Sequence, residues 1–152
     1  MNTSSVEIPP AISIEELVVP LQKLVLDQER YDRRLLMSHL CAYQLAGKLG
    51  KGARLLEVGC GCGAYYLSHV AREVTAIDLD GSAIKQAQRL FIRPNLHYIE
   101  QDGVRLPFKD GQFDCVGTFQ VIEHIKQPDL PGFVRELCRV LTPEGGSVSS
   151  QR

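Results

Sequence analysis

The stretch Leu55-Leu56-Glu57-Val58-Gly59-Cys60-Gly61-Cys62-Gly63-Ala64-Tyr65-Tyr66-Leu67-Ser68-His69-Val70 decides how the whole chain is read. Its first residues form a short apolar run carrying an acid, as a buried strand does, and its last residues resume at helical spacing. Between them stand Gly59, Gly61 and Gly63, three glycines in five residues. A strand needs side chains to pack and a helix start needs caps, so neither asks for glycine at alternate positions. A ligand that approaches the backbone so closely that a β-carbon would collide with it does ask for them.

Outward from this junction, strands and helices alternate. Arg54 to Val58 reads as a strand, Ala64 to Ala71 as a helix, and Val74 to Asp78 as a second strand ending on an acid. Ser82 to Phe91 places Ala83, Ile84, Ala87, Leu90 and Phe91 on one helical face and is stopped by Pro94. Leu96 to Glu100 and Phe113 to Phe119 read as the third and fourth strands. Phe133, Leu137, Val140 and Leu141 form the inner stripe of a last helix before Pro143 and the Gly145-Gly146 turn. Strands alternating with helices of this length predict an α/β fold, a parallel sheet with right-handed crossovers.

Upstream, residues 1 to 12 read as a polar arm, and Ser13-Ile14-Glu15-Glu16 has the form of a capping box for a short helix interrupted near Pro20. From Asp27 to Ala46, Leu35, Leu36, Leu40, Tyr43 and Leu45 recur at near-helical spacing, with Gly47 suited to the C-terminal cap. The division expected is an arm and helices over 1–50 and a ligand-binding Rossmann-like domain over 51–152.

Composition narrows the ligand. The chain has 152 residues and a formal net charge of -1, which gives no electrostatic reason to expect nucleic acid or an anionic membrane as partner. No apolar run approaches the roughly 20 residues needed to span a bilayer. The N-terminal MNTSSVEIPP lacks the regions of a signal peptide, so a cytoplasmic location is expected. Five cysteines, Cys41, Cys60, Cys62, Cys115 and Cys138, show no zinc-like spacing with histidine and read as reduced thiols, with no metal site.

In a parallel sheet, ligands bind beyond the carboxyl ends of the strands where the strand order reverses. The glycine loop sits there, and Asp78 ends the neighbouring strand, where a carboxylate can accept two hydrogen bonds from a ribose diol. Together they describe a nucleoside-type ligand. Two cofactor classes satisfy this much, because Gly59-x-Gly61-x-x-Ala64 also fits the loose dinucleotide fingerprint.

The wider context separates them. Glu57 before the first glycine, the third glycine at 63, and the segments QDGVRLPF, FDCVGTFQVIEHI and ELCRVLTPEGG resemble, as a set, the class I S-adenosylmethionine-dependent methyltransferases, in particular their small-molecule, type 11/12-like branch. The resemblance runs from about Lys51 to Gly146. It implies S-adenosyl-L-methionine as cofactor, with the loop of Gly59, Gly61 and Gly63 under its methionine moiety and Glu57 toward its amino group. It implies that Asp78 binds the ribose hydroxyls, Leu79 packs on the adenine, and Asp102 and Gly103 lie at the adenine edge. Phe119 and Gln120 would line the methyl-transfer face, with Glu123 and His124 following, and His124 would serve as base for a hydroxyl acceptor. The segment TFQV lacks the pattern of nucleobase amine methylases, so a small-molecule acceptor is expected. A catalytically silent nucleoside-binding or scaffold module is the alternative function.

The chain departs from that family in one respect. A full domain has seven strands, whereas here SVSSQR follows Gly146 in place of an apolar fifth strand. The expectation is therefore an incomplete sheet of order 3-2-1-4, its fourth strand left as an edge and open to a homodimer through backbone pairing.

Overall fold

The computed structural model describes residues 42–60 and 63–150, with side chains up to Gly146. The arm, the capping box and most of the Asp27 to Ala46 helix lie outside these residues, as do Gly61 and Cys62. The described chain begins with α1 (42–49), which runs through Gly47 and ends at a Gly50 turn where the Gly50 N–H reaches the Ala46 carbonyl at 2.7 Å. Gly47 is thus inside the helix and not its cap.

The alternation read from the sequence follows. It consists of β1 (Arg54–Val58), α2 (Gly63–Leu67), β2 (Glu73–Asp78), α3 (Gly81–Leu90), β3 (Leu96–Glu100), β4 (Phe113–Phe119), a 3-10 turn (Ile122–His124), α4 (Leu130–Val140) and β5 (Leu141–Ser150). α2 is shorter than expected; beyond Leu67 the chain turns, and the Ser68 hydroxyl bonds back to the Tyr65 carbonyl at 2.6 Å. α3 starts where Asp80 accepts the Ser82 N–H at 2.8 Å, capping an otherwise orphaned donor.

All strands pair in parallel in the order β3-β2-β1-β4-β5. β1 is central and its side chains alternate between two cores. Leu55 joins Tyr43, Ala64, Leu67, Val74, Ala76, Ile84 and Phe119 on the face covered by α1, α2 and α3. Leu56 and Val58 join Ile77, Leu106, Val116, Phe133 and Val140 on the face covered by α4. β1 and β4 are buried on both faces, and each sends apolar side chains into both cores.

The order 3-2-1-4 is present and is continued by a fifth strand, which corrects the expectation of an edge at β4. β5 pairs with Phe113 through Leu141, loops out over the next four residues, and resumes from Cys115↔Gly146 to Phe119↔Ser150. Its one branched apolar residue past the loop is Val148, so its strand character comes from the backbone ladder with β4 and not from its own pattern. With that edge covered, the geometric ground for a homodimer through β4 is gone.

Two ionic clusters fix the sheet and the loop that follows β3. Arg54 donates to both Asp114 carboxylate oxygens, at 3.1 and 2.6 Å, and holds that carboxyl down at about 2; this ties β1 to β4 at the end remote from the glycine loop. Arg139 of α4 donates to the Leu106 and Phe108 carbonyls at 2.9 and 2.8 Å and to Glu136, whose Oε2 also accepts the Leu106 N–H. The chain after Asp102 is thereby clamped to α4. Among the described residues no helix is long and apolar enough to cross a membrane.

Candidate functional site

At the carboxyl ends of β1, β2 and β4 the chain encloses a cleft of about 380 Å³. Of the residues singled out in the sequence, Gly59, Asp78, Leu79, Asp102, Gly103, Phe119 and His124 line it together. They come from four separate connections, brought together because parallel strands put all their exits at one end of the sheet.

The β2 exit supplies Asp78, whose Oδ1 accepts the Asp80 N–H at 2.9 Å, and Leu79, which is 72% exposed. A leucine so exposed beside a carboxylate offers an apolar plane next to a polar anchor. The β3 exit supplies Asp102, which accepts the Val104 N–H at 2.9 Å and so makes the turn in which Gly103 sits. A side chain at Gly103 would press on Val58 and on Phe133 of α4. The β4 exit supplies Phe119, then Gln120 at φ 58, then Val121 and the turn that carries His124. Gln120 takes this left-handed conformation without being glycine, and it lines the cleft.

Gly59 and Gly63 each also have a cause within the chain. Gly59 has φ 85, and a β-carbon there would fall on the Val121 side chain; at Gly63 it would fall on the Tyr43 ring. The chain's own side chains therefore demand both glycines. Sequence reasoning missed Val121 and Tyr43 in this role, because each lies far along the chain from the glycine that it constrains.

Glu57 stands apart from the cleft's lining. It is wholly buried, accepts the Tyr43 hydroxyl on Oε1 at 2.8 Å, and has Oε2 without a hydrogen-bond partner among the described residues. Burial pushes its carboxyl up to about 8, opposed by the Tyr43 hydroxyl and the Ala64 N–H and reinforced by the charge of Asp78. His69 and His97 are not among the residues lining the cleft; His97 faces Glu73 at 3.3 Å. Among the described residues no group of three or more His, Cys, Asp or Glu is placed to hold a metal ion.

The comparison with known proteins turns on the same region. Residues 56–148, which span β1 through most of β5, match the family described as methyltransferase domain. The chain belongs to the methyltransferase domain family. The cofactor of that family membership is S-adenosyl-L-methionine. The chain is 36% identical over 122 residues to the Mycobacterium tuberculosis (strain H37Rv) protein named "Probable S-adenosylmethionine-dependent methyltransferase Rv3030", covering 79% of this chain and 42% of that one. It is 36% identical over 99 residues to fatty-acid O-methyltransferase of Mycolicibacterium smegmatis, covering 62% of this chain and 35% of that one. It thus spans less than half the length of these relatives. The fold matches N-methyltransferase NodS from Bradyrhizobium japonicum, solved with S-adenosyl-L-homocysteine, at a TM-score of 0.69 and 20% identity over 86% of this chain and 71% of that one.

The residues present in the methyltransferase domain fit such a cofactor. Asp78 and Asp102 place two carboxylates in the cleft wall. No lysine or arginine lines the cleft among the described residues. Such an acidic wall suits a ligand that carries positive charge better than one that carries phosphate.

Proposed function

We propose that the cleft binds S-adenosyl-L-methionine and that the chain carries the cofactor-binding half of a methyltransferase acting on a small molecule, with oxygen as the accepting atom. The observation that carries this reading is the set of Asp78, Leu79, Asp102 and Gly103 around one cleft that no lysine or arginine lines among the described residues. Asp78 would take the ribose hydroxyls, Leu79 one face of the adenine, and Asp102 with the Gly103 N–H its edge. The glycine loop and Glu57 would take the amino-acid end.

When bound, the cofactor supplies an already activated methyl group on a sulfonium. The residues of the chain then have to align an acceptor, exclude water, and handle at most one proton. Phe119, Val121 and Ile125 supply apolar cover around the cleft, and Phe133 closes it from α4. His124, at the end of the turn after β4, lines the cleft and would accept the proton of an acceptor hydroxyl on its imidazole. Support for oxygen as the acceptor comes from the O-methyltransferase among the similar proteins.

Calorimetric titration with S-adenosylhomocysteine and with NAD tests the binding half of the proposal. Tight, saturable binding of the first and none of the second is expected. Transfer of a labelled methyl group to fatty-acid, alcohol and amine acceptors tests the rest. Binding of NAD in preference would refute the cofactor reading, and binding without transfer to any acceptor would favour a silent nucleoside-binding module.

A further inference from the structure

The turn that carries Asp102 and Gly103 is a closed unit. Asp102 Oδ1 accepts the Val104 N–H at 2.9 Å, and the Gln101 side-chain amide crosses the turn to the Asp102 and Arg105 carbonyls at 3.1 and 2.7 Å. At its front the unit hangs on the sheet, where the Gln101 N–H reaches the Asp78 carbonyl at 2.8 Å. At its back the next residue, Leu106, is held by α4 through both of its backbone groups. The Leu106 N–H donates to Glu136 Oε2 at 3.0 Å, and the Leu106 carbonyl accepts from Arg139 Nη2 at 2.9 Å. A stiff turn with two attachments sits where those attachments put it.

The rear attachment depends on one side chain. Arg139 Nη1 also donates to the Phe108 carbonyl at 2.8 Å and to Asp110 Oδ1 at 2.7 Å, while Nε and Nη2 donate to the two Glu136 oxygens at 2.8 and 2.9 Å. Together with the bond to Leu106, these engage all five N–H groups of the guanidinium. The point charge of a lysine cannot reproduce that planar fork. The Leu106 side chain is buried in the core on the α4 face, so packing sets how deep the loop lies. Packing has no direction and permits a shift along α4, whereas the bonds from Arg139 and Glu136 are directional and prevent it. Such a shift reaches the cleft, because a β-carbon on Gly103 would stand only 3.1 Å from Phe133, one turn before Glu136 on α4.

We propose that Arg139, together with Glu136, is a positioning residue for the adenine end of the cofactor: it fixes the place of the Asp102-Gly103 turn in the cleft wall without reaching the ligand itself. Asp102 and Gly103 line the cleft, and neither Arg139 nor Glu136 does. The proposal rests on the reading that S-adenosyl-L-methionine occupies this cleft with its adenine at that turn. It gives α4 a part in recognition beyond covering the sheet.

Two ligands that differ only at the base test it. S-adenosylhomocysteine carries an exocyclic amine that can donate to Asp102, and S-inosylhomocysteine carries a carbonyl in its place. In calorimetric titration the parent should bind the first about tenfold more tightly, the scale of one hydrogen bond to a charged acceptor. Arg139→Lys should bring the two affinities to within about threefold, by weakening S-adenosylhomocysteine and leaving S-inosylhomocysteine near its parent value. Glu136→Ala should show the same selective loss. Arg139→Lys should also cost the Asp102→Ala protein less S-adenosylhomocysteine affinity than it costs the parent, because the arginine acts through the turn that Asp102 belongs to. The melting midpoint of each unliganded variant reports folding separately. Equal weakening of both ligands, or discrimination equal to the parent's, would overturn the proposal and leave Arg139 as a support of the fold alone. If the parent bound both ligands alike, the adenine placement and this inference would fall while the cofactor reading stood; if it bound neither, the cofactor reading would fall first and this inference with it.

Discussion

Glu57→Gln is the substitution whose consequence the structure sets most sharply. In the unfolded chain the carboxyl titrates near its ordinary value of 4.5, and in the folded protein burial pushes it up to about 8. Between those two values the folded state holds a proton that the unfolded state has released. Stability from this group is therefore complete below about pH 4.5 and is lost as pH rises through about 8. At pH 6 nearly all folded molecules carry the proton, and at pH 9 nearly none do. The linkage amounts to about 2 to 3 kcal/mol between those conditions, at 1.36 kcal/mol per unit of pKa difference. Glutamine does not titrate, keeps an Oε1 to accept from Tyr43, and puts an amide nitrogen where Oε2 stands unpartnered. That nitrogen brings an offset of about 1 to 3 kcal/mol that does not change with pH. Urea unfolding followed by circular dichroism, at pH 6 and at pH 9, gives the four free energies required. Histidines, cysteines and exposed acids titrate in both proteins and cancel in the difference. The parent should lose about 2 to 3 kcal/mol more than the variant on going from pH 6 to pH 9. A gap between parent and variant that is the same at both pH values would refute the placement of Glu57 as a buried, proton-holding carboxyl.

Two further substitutions probe the cleft and the loop beside it. Asp78→Ala should weaken S-adenosylhomocysteine binding by about 1.5 to 3 kcal/mol, the range for hydrogen bonds to a charged acceptor, while the melting midpoint stays near that of the parent, since the side chain makes one local bond to the Asp80 N–H. Unchanged affinity in calorimetry would move the ribose site elsewhere. Gly59→Ala should destabilise the fold by about 1 to 3 kcal/mol or more, because the backbone is at φ 85 and the new methyl meets Val121; a melting midpoint equal to the parent's would show that this loop adapts at no cost.

The parts of the fold legible in the sequence are those in which a segment's own pattern sets its burial. β1 and β4 are covered on both faces, and their short apolar segments carry residues toward both cores. α3 declares itself by one apolar face and Pro94 beyond its end. Asp78 and the glycines mark the ligand end because a parallel sheet places every strand exit on one side. The resemblance to the methyltransferases added Leu79, Asp102, Gly103, Phe119 and His124, and these line one cleft with Gly59 and Asp78.

What only the tertiary structure decided are the features whose cause lies in a distant partner. β5 is rich in serine and glycine and has little strand character of its own; it is a strand because β4 offers a row of backbone donors and acceptors that it can satisfy. Gly59 and Gly63 looked like concessions to a ligand, yet Val121 and Tyr43 already require them. Tyr43 looked like one member of a helical apolar stripe, and nothing local to it reveals that its hydroxyl meets Glu57, 14 residues on. Periodicity records which side of a segment is inside. It does not record what waits there, because that is settled by the other segments when the chain closes on itself.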